Sequence, residues 1–294
     1  MPLIVLSSYS DSFLFVFQFH ILSVCNRIVS LNVQNNQFTG SFPSEIGKLS
    51  NAISLSFSSN ALSGTIPKEI GTLENLENFD ASSNFLAEQL PDAFGGLVYL
   101  KNFDMALNYL SGTLPPTLIS NTTVLNALNV SGNVLGSNLP IPENLGQMTS
   151  LQSLDLSTNQ FAGSVPESIG EMENLIELRL DRNVITGKLP ESMNRLSNIK
   201  VLSLSENSIT ELPLGLTNLT KLEELHLSSN LLEEIPKEIF NNFESLGKLL
   251  RKGDLMNMIC DRILTFCPLS CIYCCRNTEC FKKRDRWNYV SRIV

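Results

Sequence analysis

Histidine and tryptophan are almost missing from this chain: of its 294 residues, two are His and one is Trp. With His20 and His226 as the only imidazoles, a histidine-based triad has few candidates, and there is no HExxH zinc motif. A glycine-rich phosphate loop, an HRD or DFG pair and a GxSxG elbow are absent too. No catalytic residue, cofactor or metal is therefore expected. Positive charge is scarce over residues 1–245, which hold 11 Lys or Arg against 25 Asp or Glu. Such a field repels nucleic acid and anionic lipid, so neither is an expected partner of this part of the chain. The apolar run Phe13 to Phe17 is broken by Gln18 and His20, well short of the ~20 residues that cross a bilayer. Cysteine is absent between Cys25 and Cys260.

What the chain has in abundance is repetition. Aligned on Asn159, equivalent asparagines fall at Asn36, Asn60, Asn84, Asn108, Asn133, Asn183, Asn207 and Asn230, spaced 23 to 26 residues apart, so nine rungs fill residues 25–245. Apolar slots lie eleven, eight, five and three positions before each asparagine, as in Met148, Leu151, Leu154 and Leu156. The last two alternate with polar residues, the two-residue period of a strand with one buried face. A solenoid of short parallel strands follows. The asparagine amide both donates and accepts, which suits a sharp exit from the strand where backbone groups lose their partners. Four residues later most rungs carry glycine (Gly40, Gly64, Gly112, Gly163, Gly187), and three further on proline, which imposes a second extended segment.

The stretches "NQFAGSVPESIG" and "NALSGTIPKEIG" resemble the plant-type leucine-rich repeat, consensus LxxLxLxxNxLxGxIPxxLGxLxx, of receptor-like kinases, receptor-like proteins and polygalacturonase-inhibiting proteins. The resemblance implies an α/β solenoid, a right-handed superhelix with a parallel β-sheet on its concave face. It implies a non-enzymatic module that recognises a protein, peptide or glycan ligand on that face, outside the cell or at its surface. An intracellular scaffold and an inhibitor of secreted polysaccharide-degrading enzymes are the alternatives.

Some rungs depart from the pattern. After Asn207 and Asn230 the chain reads "NSITELP" and "NLLEEIP", without the glycine, as in the repeats of intracellular scaffolds. The third rung has Glu88 in the glycine position, and the fifth carries an insertion, "NVLGSNLPIP", where an irregular loop is expected. Residues 1–24 read either as a secretory leader or as a capping strand, with Phe13, Phe15, Phe17, Phe19 and Ile21 on one face. Residues 246–294 form a separate basic unit, 10 Lys or Arg against 4 Asp or Glu, which crowds Cys260, Cys267, Cys271, Cys274, Cys275 and Cys280 together. Their spacing does not choose among pairings; a disulfide-tied cap, a tail of free thiols and a zinc site around Cys271 and Cys274 are all open. Membrane association is expected only through this tail, where "KKRDR" lies near cysteines open to acylation, or through a longer parent receptor.

On the concave face, the positions four before each asparagine hold Asn32, Ser56, Asp80, Asp104, Asn129, Asp155, Arg179, Ser203 and His226. Two before, most are small. The candidate ligand-binding residues are Asp80, Asp104, Asp155, Glu177, Arg179, Asp181, Arg182 and His226; the seventh rung carries four of them, and its guanidinium groups are suited to a partner's carboxylate. Glycosylation triplets begin at Asn121, Asn129 and Asn218. Asn121 and Asn218 are expected in outer loops, whereas a glycan on Asn129 would block the concave face.

Overall fold

The computed structural model describes residues 3–5 and 27–235. The expected capping segment from Phe13 to Ile21, Cys25 and the six-cysteine tail lie outside the described residues.

Among the described residues, ten parallel strands make one continuous sheet. Nine are the expected short strands, each of three residues, from Ser30–Asn32 to Glu224–His226, in which a buried middle residue is flanked by two more exposed ones, save at Ser203, which is buried too. The middle residues lie in strict register across the rungs: Leu31, Leu55, Phe79, Phe103, Leu128, Leu154, Leu178, Leu202 and Leu225. The tenth strand, Leu3–Val5, pairs with Ser30–Asn32, and no repeat signal in the sequence marks it. Apolar residues fill the interior, and the first four rungs substitute aromatic rings: Phe42 meets Phe57 edge-on at 4.9 Å, and Phe79 stacks on Phe103 at 5.8 Å.

The asparagines join one rung to the next. Asn108 donates from Nδ2 to the carbonyls of Met105 and Ala106 in its own rung and of Ala81 in the preceding one. Its Oδ1 accepts the N–H of Leu86, also in the preceding rung, at 2.9 Å. Asn60, Asn84, Asn133, Asn159, Asn183, Asn207 and Asn230 each accept the equivalent N–H of the rung before them. The residue before each asparagine turns the chain in the left-handed region: Asn35, Ser59, Ser83, Leu107, Thr158, Arg182, Glu206 and Ser229 have φ between 54° and 56°, and the fifth rung uses Gly132.

Beyond the turn, second extended segments pair in two smaller parallel sheets, Thr39–Ser41 to Tyr109–Ser111 and Ala162–Gly163 to Ser208–Glu211. The fifth-rung insertion separates them, and as expected it is irregular, with Gly136, Ser137 and Asn138 all at positive φ. The repeat glycine likewise adopts positive φ, 76° at Gly64, and Glu88 is forced to 66° in its place, a conformation that disfavours an L side chain. In the eighth rung, pairing survives the lost glycine through a register shift beside Gly187.

Proline then leads into short 3-10 turns such as Lys68–Thr72, with Ile70 buried; in the fourth rung the turn is an α-helix, Pro116–Asn121. Successive turns nearly touch: a Cβ on Gly71 would sit 1.8 Å from the Ala93 carbonyl oxygen. Strands pack ~4.8 Å apart, closer than helical turns can, so the long sheet is the shorter, concave side.

Replacing Asn108 by alanine strands the Leu86 N–H, whereas the Ala81 carbonyl keeps Asn84 as a donor. The expected loss is about 1–3 kcal/mol of unfolding free energy. Chemical denaturation checks it, and an unchanged midpoint would contradict the bridging role.

Candidate functional site: the concave sheet

Because the middle residue of each strand points inward, the residues on either side of it form outward-facing rows along the solenoid. Register places Asp80 against Asp104, Asp104 against Asn129, Asn129 against Asp155, and Asp155 against Arg179. The five side chains are thus one row. Ser203 and His226 continue it.

The row has a local structural duty that sequence reading missed. One carboxylate oxygen of Asp80, Asp104 and Asp155 accepts the N–H two residues on, from Ser82, Ala106 and Ser157 at 2.9–3.0 Å, and Asn32 and Asn129 do the same. Each of these side chains closes the turn out of its strand, the reason short Asx side chains suit the position. The signal was present in the fixed two-residue offset. The second oxygen is left to face the hollow, taking Ser56 Oγ at Asp80 and Asn129 Nδ2 at Asp104.

The seventh rung is only partly a cluster. Glu177 and Arg179 share a strand and pair at 2.5 Å, and Ser153 also donates to Glu177. Asp181 accepts from Ser203 Oγ and from the Ser205 N–H, doing for the next rung what Asp155 does for its own. Arg182 stands apart: it is the left-handed turn residue on the rim, exposed, and bound to Glu206 at 2.9 Å. His226 approaches Glu224 at 3.4 Å.

Burial raises the pKa of Asp104; the Ala106 N–H and Asn129 oppose this, while the fields of Asp80 and Asp155 add to it. For Arg179, burial works against the charge, but the hydrogen bond and field of Glu177, with Asp155 and Asp181, outweigh it and hold the guanidinium firmly protonated. The hollow is therefore acidic over rungs three to six, with one strongly held cation beside them.

Two leucine-rich-repeat models match the chain, one over residues 173–232 and one over 27–49, 75–97 and 150–172. These residues carry leucine-rich repeats. The solenoid is similar to the plant peptide hormone receptor RGFR1 in complex with RGF2 (32 % identity over 74 % of this chain and 35 % of that one, TM-score 0.71). It is also similar to PEPR1 with AtPEP1 (28 %, 78 % and 32 %, TM-score 0.73) and to a plant ice-binding protein (28 %, 72 % and 76 %, TM-score 0.57). The chain spans about a third of the length of the two receptors. Comparison with curated proteins gives no match.

The exposed Asn121 and Asn218 close short helical turns on the side opposite the sheet. Asn129, by contrast, is committed to Asp104 and Ser131 within the row.

The raised Asp104 pKa fixes a sign. The native state takes up this proton at a higher pH than the unfolded chain does, so ionisation of Asp104 opposes folding above its native pKa, and the penalty vanishes below the ordinary carboxylate range. Asp104→Asn is expected to match or exceed the parent's melting temperature at neutral pH and to lose that advantage in acid. Thermal melts at the two pH values test this; a neutral-pH decrease would mean that the bonds to Ala106 and Asn129 outweigh burial.

Proposed function

We propose that this leucine-rich-repeat protein is a non-enzymatic recognition module that binds a protein or peptide ligand along its concave sheet, outside the cell. The observation that carries the reading is the single in-register row from Asp80 to His226, mounted on a rigid sheet and overlooked by small residues such as Ser82, Ala106, Ser131 and Ser157. Small neighbours leave room for a guest, and fixed charges give it orientation. Likeness to RGFR1, a peptide hormone receptor, supports the ligand class. The same scaffold serves an ice-binding protein, so the fold alone does not choose the ligand, and the charged row is what favours a peptide. A glycan ligand is the weaker form of the proposal, because no aromatic side chain stands in the row.

The chemistry of the row assigns roles. Asp80, Asp104 and Asp155 receive cationic groups of the ligand, and Arg179 receives a carboxylate with the guanidinium nitrogens that Glu177 leaves over. Asp181 and Glu177 hold these groups in place, and Arg182 and His226 contact the ligand at the rim and at the last rung. An extracellular location also implies that the tail cysteines are paired and that Asn121 and Asn218 carry glycans.

Filling the hollow tests the binding mode. Ser157→Trp and Arg179→Ala are each expected to leave melting within a few degrees of the parent and to lose most of the peptides captured from native extract and identified by mass spectrometry. Equal recovery by parent and variants would refute the concave site. Location is tested separately in protein isolated from its own cells: glycosidase should shift its mobility, and thiol reagents should leave Cys260 to Cys280 unlabelled. Full labelling with no shift would place it in the cytosol.

A further inference from the structure

The left-handed turn residue before each ladder asparagine is polar or glycine in every rung but the fourth, where it is Leu107. That residue combines a φ of 55°, unfavourable for a branched apolar side chain, with 61 % exposure. Nothing about local folding asks for leucine there. Its Cδ2 lies 2.7 Å from where a Cβ on Gly132 would stand, over the space that the glycine leaves open in the next rung.

Just past the same turn, Phe85 and Tyr109 open the flank strands Phe85–Gln89 and Tyr109–Ser111. Both are more than half exposed, their rings are nearly parallel at 13°, and their centroids are 6.2 Å apart. Val184 and Leu231 occupy the same repeat position but stand singly, whereas Phe85 and Tyr109 pair across rungs three and four, with exposed Leu107 two residues before Tyr109. A contiguous exposed apolar patch is the kind that marks a docking surface.

On the other side of the turn, the same two rungs present Asp80 and Asp104, aligned in the sheet. No ion pair among the described residues uses either carboxylate. Only Ser82 and Ala106 separate the carboxylates from the rim. A chain crossing this rim meets an apolar platform first and two anions next.

We infer that rungs three and four form a two-part docking surface for an extended protein segment that carries an apolar side chain beside a Lys or Arg. The apolar group packs on Phe85, Leu107 and Tyr109, and the cation enters the hollow at Asp80 and Asp104. This rests on the concave-face reading and specifies the chemistry of its ligand. The repeats of a second copy do not fit, because they are strongly acidic and like charge opposes pairing. A neutral glycan leaves the two carboxylates without a counter-charge.

The probe is a labelled synthetic peptide of alternating Lys and Leu, titrated into the full chain by fluorescence anisotropy, with Glu/Leu and Lys/Ser peptides alongside. The Lys/Leu peptide is expected to bind about tenfold or more tightly than either control, a gap typical of a lost anchor. Leu107→Ser with Tyr109→Ser should weaken it about tenfold. Leu107→Gly, which suits the left-handed turn, should also weaken it without lowering the melting temperature, so that a folding defect is told apart from a lost contact. Asp80→Asn with Asp104→Asn should remove most of its salt dependence. Lys/Leu binding indifferent to Leu107 and Tyr109, equal binding of Glu/Leu, displacement of the peptide by cellohexaose, or self-association lost on the same substitutions would each overturn the inference. If Ser157→Trp spares capture of native peptides while the flank variants still lose the Lys/Leu peptide, the concave reading fails and the rim surface stands. The reverse pattern removes only the rim surface.

Discussion

The interaction on which everything else hangs is the bridge each asparagine makes between its own rung and the one before it. A chain that leaves a strand through a left-handed residue cannot satisfy its own carbonyls and amides there, and burial makes an unpaired group expensive. One primary amide, with two donor hydrogens and an acceptor oxygen, answers that need: it takes an N–H from the previous rung and gives to carbonyls on both. Since the same side chain recurs at the same repeat position, the rungs have one way to stack, and the register of the long sheet is fixed along its length.

Fixed register has an electrostatic consequence. Residues that are 24 apart in sequence become neighbours, so Asp80 and Asp104 must face each other across adjacent strands. The repeat tolerates this because each carboxylate is also the acceptor that closes its own turn. One oxygen closes the turn, and the other accepts from a neighbouring rung, Ser56 at Asp80 and Asn129 at Asp104. The like charges gathered along the sheet are a place where local preference and global fold disagree.

Much of this was legible in the chain itself. The leucine slots, the asparagines, the Gly-Pro offsets and the irregular fifth rung were read from spacing and reappear at the expected places, because each depends on contacts one repeat away at most. Three features were not legible. Leu3–Val5 has no repeat signature to announce it. Arg182 lies three residues from Arg179 in sequence, yet a left-handed turn separates them and sends Arg182 to Glu206 on the rim. Phe85 and Tyr109 occupy a position where the repeat accepts nearly anything, so only adjacency in space shows that they form a pair.

The order of residues alone therefore settled the repeat length and the identity of the inward face, since these follow from side-chain size and polarity within one rung. Which outward side chains touch, and which are already spent on a neighbour, was settled only by the stacked structure. Glu206 pairs with Arg182, Asp104 bears the fields of two other aspartates, and Phe85 stacks on Tyr109. Those are relations between rungs, and they exist only once the parallel strands have brought distant segments to within ~5 Å of each other.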